Sequence, residues 1–299
     1  MRKNKKPKII VIVGPTASGK TSLSIKLAQA CNGEIVSADS RQVYRGLNIG
    51  SGKVTLTEMQ GVPHHLLEVA DRCDTYTVTD FVRDARIAIT DILKRGKTPI
   101  IVGGSFFYID VLLGRISTPE VEPDLALREM LERRSAEALF TELRAKDPIR
   151  ARKIDQHNPR RLVRALEIIA ARGSVPPPLS DEPYDALVLG ITIDKARLHE
   201  NIHQRLIERL NAGMLNEARI LYQNGLSYKR MEDLGLEYRY LGMHLQGLIS
   251  YDEMVHNLET KIRQFAKRQM TWLKRDDSIR WIDSATALEL ARDFVIRKD

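Results

Sequence analysis

Residues Gly14 to Thr21 read Gly-Pro-Thr-Ala-Ser-Gly-Lys-Thr, types and spacing suited to holding a phosphate or diphosphate. Glycines at the ends let the backbone turn tightly, and successive N–H groups converge on an anion. Lys20 adds a point charge and the Thr21 hydroxyl can ligate Mg²⁺. The apolar run Ile9–Val13 precedes the loop and the helix-compatible stretch Thr21–Ala30 follows it, the strand–loop–helix order such a loop needs. A plain glycine turn is the competing role for Gly14, Pro15, Thr16, Ala17, Ser18 and Gly19. A second chemical group is Asp39, in Ala38-Asp39-Ser40-Arg41-Gln42-Val43-Tyr44 after the run Glu34–Ser37. Ligands of parallel sheets gather beyond the carboxyl ends of the strands, which puts Asp39 on the rim of the phosphate loop. A carboxylate beside an anion is costly unless it holds a metal or takes a proton from a nucleophile. A helix N-cap aspartate is the alternative.

Other groups are weaker alone. Pro63-His64-His65 reads as a loop whose imidazoles can meet phosphate or base, or be structural. Gly103-Gly104-Ser105 follows the run Pro99–Val102; two glycines allow close backbone approach to a ligand, and Ser105 offers a hydroxyl. Arg205 and Arg209 share one helical face and suit bidentate oxyanion binding, with a solvated, ion-paired face near Glu208 as the alternative. Arg160, Arg161 and Arg164 crowd one helix. Lys261, Arg263, Lys267, Arg268, Lys274 and Arg275 surround Phe265 and Trp272 on another. Such stripes can track a phosphate backbone, and the net charge of +8 points the same way.

The elements that must position these groups follow from periodicity. Short β-branched runs at Lys8–Val13, Glu34–Ala38, Pro99–Val102, Leu187–Ile193 and Ile279–Ile282 alternate with helix-period segments. That pattern predicts an α/β fold, a P-loop NTPase-like parallel sheet flanked by helices. Asp80–Lys94 is one helix, with Phe81, Ala85, Ala88, Ile89 and Ile92 as its apolar stripe and Gly96 as its stop. Strand signals vanish between Ser117 and Pro183, a stretch bracketed by Pro119, Pro123 and Pro176-Pro177-Pro178. Within it Asp124–Lys146 is helical in period, and Asn158-Pro159 is an N-cap with proline at N1, starting a helix through Ala171. The expected organisation is a core over 1–116, an all-helical insertion over 117–185 and the rest of the core over 186–299. In the last part Ile202, Leu206, Leu210, Met214, Ala218 and Leu221 form one stripe. Val255, Leu258, Ile262, Phe265, Gln269 and Leu273 form another, on a helix over Tyr251–Lys274.

Composition narrows the class. The chain has 299 residues and 43% hydrophobic content, enough for one large core with an insertion. Cys31 and Cys73, its two cysteines, are far apart and form no C-x-x-C, against a disulfide framework or a zinc site. The five-residue apolar run behind the basic N-terminus is too short for a signal peptide, and no run approaches membrane-spanning length. A cytoplasmic protein, with no membrane association, is expected. No Asn-Lys-x-Asp guanine motif is present, which argues against a GTPase. The lack of an apolar strand ending in paired Asp-Glu weakens a motor ATPase.

Taken in order, the P-loop, Ala-Asp-Ser-x-Gln-Val-Tyr, Val-Pro-His-His, Gly-Lys-x-Pro-Ile-x-Val-Gly-Gly, Arg-Leu-Val-Arg-Ala-Leu-Glu and Ala-Lys-Arg-Gln-x-Thr-Trp resemble the bacterial tRNA dimethylallyltransferase family from Lys8 to Asp283. The resemblance implies transfer of a dimethylallyl group from dimethylallyl diphosphate to N6 of adenine 37, beside the tRNA anticodon. It gives the loop Gly14–Thr21 to the donor diphosphate. Lys20, Thr21 with Mg²⁺, and Arg209 would offset charge on the leaving group, and Asp39 would accept the N6 proton. It implies that Ser40, Arg41 and Gln42 meet the adenine and that Ser105 and Arg128 touch tRNA near the site. Arg160, Arg161, Leu162, Val163 and Arg164 would grip the anticodon stem-loop; His64, Arg205, Tyr238 and Arg239 are further substrate contacts. A monomer is expected. The chain departs from the pattern at Ser105-Phe106-Phe107-Tyr108, where the aromatic pair is positioned to reshape the prenyl pocket. It also departs at Gly235-Leu236-Glu237-Tyr238-Arg239, where two residues split a Gly-Tyr-Arg segment. Two rival functions share these residues: an adenylate isopentenyltransferase acting on free AMP, ADP or ATP, and an inactive P-loop RNA-binding protein.

Overall fold

The computed structural model of the chain describes residues 6–116, 121, 124–152, 154–173 and 182–297. The bracketing prolines at 119, 123 and 176–178 lie outside the described residues. The chain divides into two compact units, Gly114–Asp181 and the remainder.

The larger unit starts with β1 (Lys8–Val13), α1 (Lys20–Ala30), β2 (Gly33–Ser37), α2 (Leu56–Met59), β3 (His64–His65), α3 (Val78–Lys94), β4 (Thr98–Val102) and α4 (Phe106–Leu112). The smaller unit holds α5 (Leu125–Glu132), α6 (Ala136–Lys146), α7 (Pro148–Ala151) and α8 (Pro159–Arg172). The larger unit resumes with β5 (Asp185–Ile191), α9 (Lys195–Asn211), α10 (Met214–Gln223), α11 (Tyr228–Leu234) and α12 (Leu236–Leu245). It ends with α13 (Tyr251–Leu273), β6 (Arg280–Ile282) and α14 (Ser284–Ile296).

The strands form one parallel sheet in the order β3-β2-β4-β1-β5-β6. β1 is central, with Ile10 opposite Ile100 on one side and Leu187 on the other. Its residues Ile9 to Val13 are all buried because helices cover both faces, so the run is continuous rather than alternating. Ile9, Val11 and Val13 pack with Phe81 and Ile89 of α3, whereas Ile10 and Ile12 pack with Leu23 and Leu27 of α1 and Ala291 of α14. Helices α9 to α13 close a further cluster around Val43, Tyr44 and Leu47. The chain order reverses at β1, so a crevice opens beyond its carboxyl end, where the phosphate loop leaves.

Four expectations shift. His64-His65 is not loop but a two-residue strand paired with Ile35 and Val36, too short to show a period. The run Asp124–Lys146 is two helices, each with its own cap: Asp124 accepts from the Leu127 N–H and Ser135 from the Ala138 N–H. The first C-terminal stripe likewise spans α9 and α10, broken at Gly213 with φ 97°. Helix α3 begins two residues before Asp80, because Thr77 and Asp80 close a reciprocal capping box.

The exits of β2 and β4 are pressed together. A Cβ added at Gly103 would lie 2.0 Å from the Ala38 carbonyl oxygen. Gly103→Ala is therefore expected to cost about 2–3 kcal/mol, the scale of an overpacked core site. Urea unfolding checks this; an unchanged midpoint would show that the two exits relax apart.

Candidate active site

The phosphate loop owes its shape to two left-handed residues, Ala17 (φ 61°) and Gly19 (φ 89°), the latter the N-cap of α1. No side chain caps α1 and no acidic residue sits in its first turn. Its N–H groups and positive dipole end are thus left for an external anion, unlike those of α3. Lys20, the first residue of α1, donates to the Pro15 carbonyl at 2.6 Å. Its pKa is drawn down to about 7, first by lost hydration and then by the Arg205 charge, with Asp39 partly offsetting both.

Asp39 leaves the carboxyl end of β2. Its Oδ1 accepts from the backbone N–H of Arg41 at 2.8 Å and of Gln42 at 3.4 Å, so the carboxylate is pinned by its own turn. Burial raises its pKa, against the lowering effect of those bonds and of Lys20 and Arg41. The Ser105 hydroxyl accepts from the Ser40 N–H at 2.9 Å, tying the β4 exit to the Asp39 turn. Gln42 Nε2 donates to the Gly52 carbonyl at 3.2 Å.

These groups line one cavity of about 290 Å³. Lys20, Thr21, Asp39, Ser40, Arg41, Gln42 and Ser105 face it from the sheet rim, and Arg205 and Arg209 from α9. Ile202, Ile262 and Phe265 add an apolar wall. An uncapped helix N-terminus with four cations (Lys20, Arg41, Arg205 and Arg209), a buried carboxylate and an apolar wall therefore share one space. That arrangement suits an apolar group carried on a diphosphate, with a proton acceptor beside it.

The IPP transferase family model matches residues 42–276. The chain belongs to the IPP transferase family. It is 39% identical to the tRNA dimethylallyltransferase of Geobacillus kaustophilus over 297 residues, 95% of this chain and 93% of that one. It is 36% identical to the Bacillus subtilis tRNA dimethylallyltransferase over 297 residues, covering 96% and 94%. Among solved structures, the tRNA isopentenylpyrophosphate transferase of Bacillus halodurans superposes with a TM-score of 0.72 at 33% identity, covering 96% of this chain and 95% of that one. A eukaryotic dimethylallyltransferase acting on tRNA gives a TM-score of 0.83 at 28% identity, covering 97% of this chain and 79% of that one.

Within this family member the two α9 arginines differ. Arg209 is committed: it pairs with Glu237 at 3.1 Å and donates to the Gly50 carbonyl at 3.1 Å. Arg205 forms no ion pair among the described residues, and it is the guanidinium whose charge bears on Lys20. The adjacent histidines diverge because strand side chains alternate. His64 donates Nδ1–H to the Val62 carbonyl at 2.8 Å and lines the cavity, kept neutral by burial. His65 pairs at 2.7 Å with buried Glu34, which Arg95 and Lys97 also hold.

Several expected contacts take other roles. Tyr238 lines the cavity but is 2% exposed, and its hydroxyl donates to Glu217 Oε1 at 2.8 Å. Arg239 does not line the cavity and pairs with Glu232. The aromatic pair does not shape the cavity: Phe106 is buried in the core against the sheet and Phe107 is exposed. In the helical unit Leu162 and Val163 are core residues, packed with Leu131, Leu139 and Leu143, so their side chains are closed to RNA. Arg128 and Arg164 both reach buried Glu167, Arg128 with two bonds of 3.0 and 2.8 Å. Arg160 and Arg161 stay exposed. Phe265, read as stripe, is exposed into the cavity.

Glu217 is absent from the sequence reading, and Gln269 enters it only in an apolar stripe and in the Ala-Lys-Arg-Gln-x-Thr-Trp segment, with no role of its own. Glu217 accepts the N–H groups of Asn48, Ile49 and Gly50, holding one cavity wall against Tyr238. Gln269, 5% exposed, bonds the phosphate loop and the β4 exit at once. A polar residue on an apolar stripe was the available signal for Gln269; Glu217 sits among ordinary helix charges and carried none.

Proposed function

We propose that this enzyme transfers the dimethylallyl group of dimethylallyl diphosphate to N6 of adenine 37 in tRNA, releasing diphosphate, and acts as a monomer in the cytoplasm. The observation that carries this reading is the uncapped α1 N-terminus opening into the same cavity as backbone-pinned Asp39. The N6 lone pair attacks C1 of the allyl group. The C1–O bond breaks with its electron pair going to the diphosphate, and Asp39 takes the N6 proton. An exocyclic amine is a poor nucleophile, so the base and the fixed geometry both contribute. Lys20, Arg205 and the α1 N–H groups meet charge developing on the leaving oxygen, while Arg209 mainly holds the Gly50 wall and Glu237. Ile202, Ile262 and Phe265 bound the apolar chain. Ser40, Arg41 and Gln42 face the adenine, which must leave the anticodon stack to reach them.

Among the described residues no group of three or more His, Cys, Asp or Glu is placed to hold a metal ion. The donor set fits a Mg²⁺ held mostly by diphosphate oxygens and water, with Thr21 Oγ1 as a protein ligand. Such an ion would neutralise diphosphate charge. No helix among the described residues is long and apolar enough to cross a membrane.

Labelled dimethylallyl diphosphate offered with tRNA or with AMP tests the reading. Label on tRNA at adenine 37 is expected. Label on AMP alone would replace the acceptor, and label on neither would leave an RNA-binding protein. In the helical unit we assign the stem contact to exposed Arg160 and Arg161. Arg161→Ala should flatten the log–log salt dependence of tRNA affinity by about 0.7–0.9, one phosphate contact. Arg164→Ala instead removes a partner of Glu167, so its main effect falls on the stability of that unit. A slope unchanged in a folded Arg161→Ala variant would take α8 off the RNA.

A further inference from the structure

We infer that Gln269 is a positioning residue that locks the phosphate loop and the Asp39 turn into one frame. The inference rests on the reading above and adds a residue to it. Gln269 Oε1 accepts the Thr16 N–H at 2.8 Å, and its Nε2 donates to the Gly104 carbonyl at 3.1 Å. Both partners are backbone groups of fixed polarity, so the amide has one possible orientation. Gly104 lies two residues past the end of β4, and a Cβ there would come within 2.7 Å of Gln269 Nε2. The next residue, Ser105, donates its N–H to Ala38 O at 3.2 Å and accepts the Ser40 N–H on its hydroxyl at 2.9 Å. Asp39 lies between Ala38 and Ser40. A continuous hydrogen-bonded path therefore runs from Thr16 through Gln269, Gly104 and Ser105 to the base.

The geometry explains why a side chain from α13 is needed. The phosphate loop leaves β1, and the Asp39 turn leaves β2, with β4 between them. Beyond the strand ends the ladder no longer fixes their spacing. A 5%-exposed amide with both ends bonded supplies that constraint where a mobile surface side chain would not. The leaving group and the base belong to opposite ends of the path. Errors in their separation reach the transfer step rather than the binding of either substrate.

Gln269→Met keeps length and removes both bonds. Gln269→Glu keeps the acceptor for Thr16 but sets a carboxylate oxygen against the Gly104 carbonyl; it stands in if the first variant fails to fold. The expected result is single-turnover transfer lowered about 10²-fold, the cost of a misplacement near 1 Å. Kd for dimethylallyl diphosphate and for tRNA should change little, although the thermal midpoint falls because the Thr16 N–H and the Gly104 carbonyl lose a buried partner. Combined with Ser105→Ala, the losses should be non-additive, because both residues lie on one path. Transfer within threefold of wild type, a loss residing wholly in donor Kd, or additive losses would overturn the role.

A second readout does not need transfer at all. Inorganic pyrophosphate with Mg²⁺ should slow hydrogen exchange at residues 38–42 in the wild type but not in Gln269→Met, while residues 15–21 are protected in both. Equal protection of 38–42 in the two proteins would overturn the inference. An inactive wild type that still shows this difference would remove the proposed reaction and leave the coupling standing.

Discussion

Asp39→Asn is expected to bind tRNA as the wild type does and to lower single-turnover transfer by about 10²–10⁴-fold, the worth of a positioned general base. The substitution keeps the side-chain shape and can still accept from the Arg41 and Gln42 N–H groups through its amide oxygen. What it loses is the ability to take the N6 proton. Burial places the Asp39 pKa above the ordinary carboxylate range, so wild-type transfer should fall on acidification at a pH higher than a surface aspartate would give. That acidic limb should be missing from the residual rate of the variant. A variant within about threefold of wild type would remove Asp39 from the base role, threefold being far below the usual contribution.

Lys20→Ala should be nearly as severe, about 10²–10³-fold in transfer, because a fixed donor is removed from a departing anion. tRNA affinity should be unchanged, since Lys20 belongs to the phosphate loop, whereas the stem contact is assigned to Arg160 and Arg161. Its lowered pKa adds a signature. In the free enzyme Lys20 loses its proton as pH rises through about 7. The bound diphosphate favours the charged ammonium and raises that pKa. Below pH 7 the lysine is already charged and contributes no pH dependence to donor binding. Above it, binding must take up a proton, so affinity falls by up to about tenfold per pH unit. Titration calorimetry in buffers of different ionisation enthalpy should find uptake approaching one proton near pH 8.5 for wild type and none for Lys20→Ala. Proton uptake unaffected by the substitution would assign it elsewhere, and parallel losses of donor and tRNA binding would refute the division of labour.

Much of this protein is written locally. The P-loop, its strand and its helix are legible because glycine, lysine and apolar runs act through their own backbone and near neighbours. Asn158-Pro159 is legible for the same reason: a cap and a fixed φ need nothing distant. The runs behind β1, β4 and β5 matched real strands because a strand buried on both faces must be largely apolar, whatever its partners; β2 carries buried Glu34, and β6 is an edge strand with Arg280 and Trp281 exposed. Asp39 could be set on the phosphate rim because parallel topology places strand exits together.

What the tertiary structure decided are the partnerships between segments far apart in sequence. Nothing near Arg205 and Arg209 distinguishes them; Glu237, from another helix, neutralises one and leaves the other to act on Lys20. Arg128 and Arg164 look like free cations until Glu167 is found buried beneath both. Leu162 and Val163 sit among arginines in a motif, yet helical phase turns them inward while Arg161 faces solvent. β3 exists only because β2 offers it an edge. Gln269 lies more than 250 residues from Thr16, and the fold alone closes that distance to 2.8 Å. Local preferences act over a turn or a strand; charge pairing and buried hydrogen bonds are settled by which surfaces the completed sheet and helices bring together.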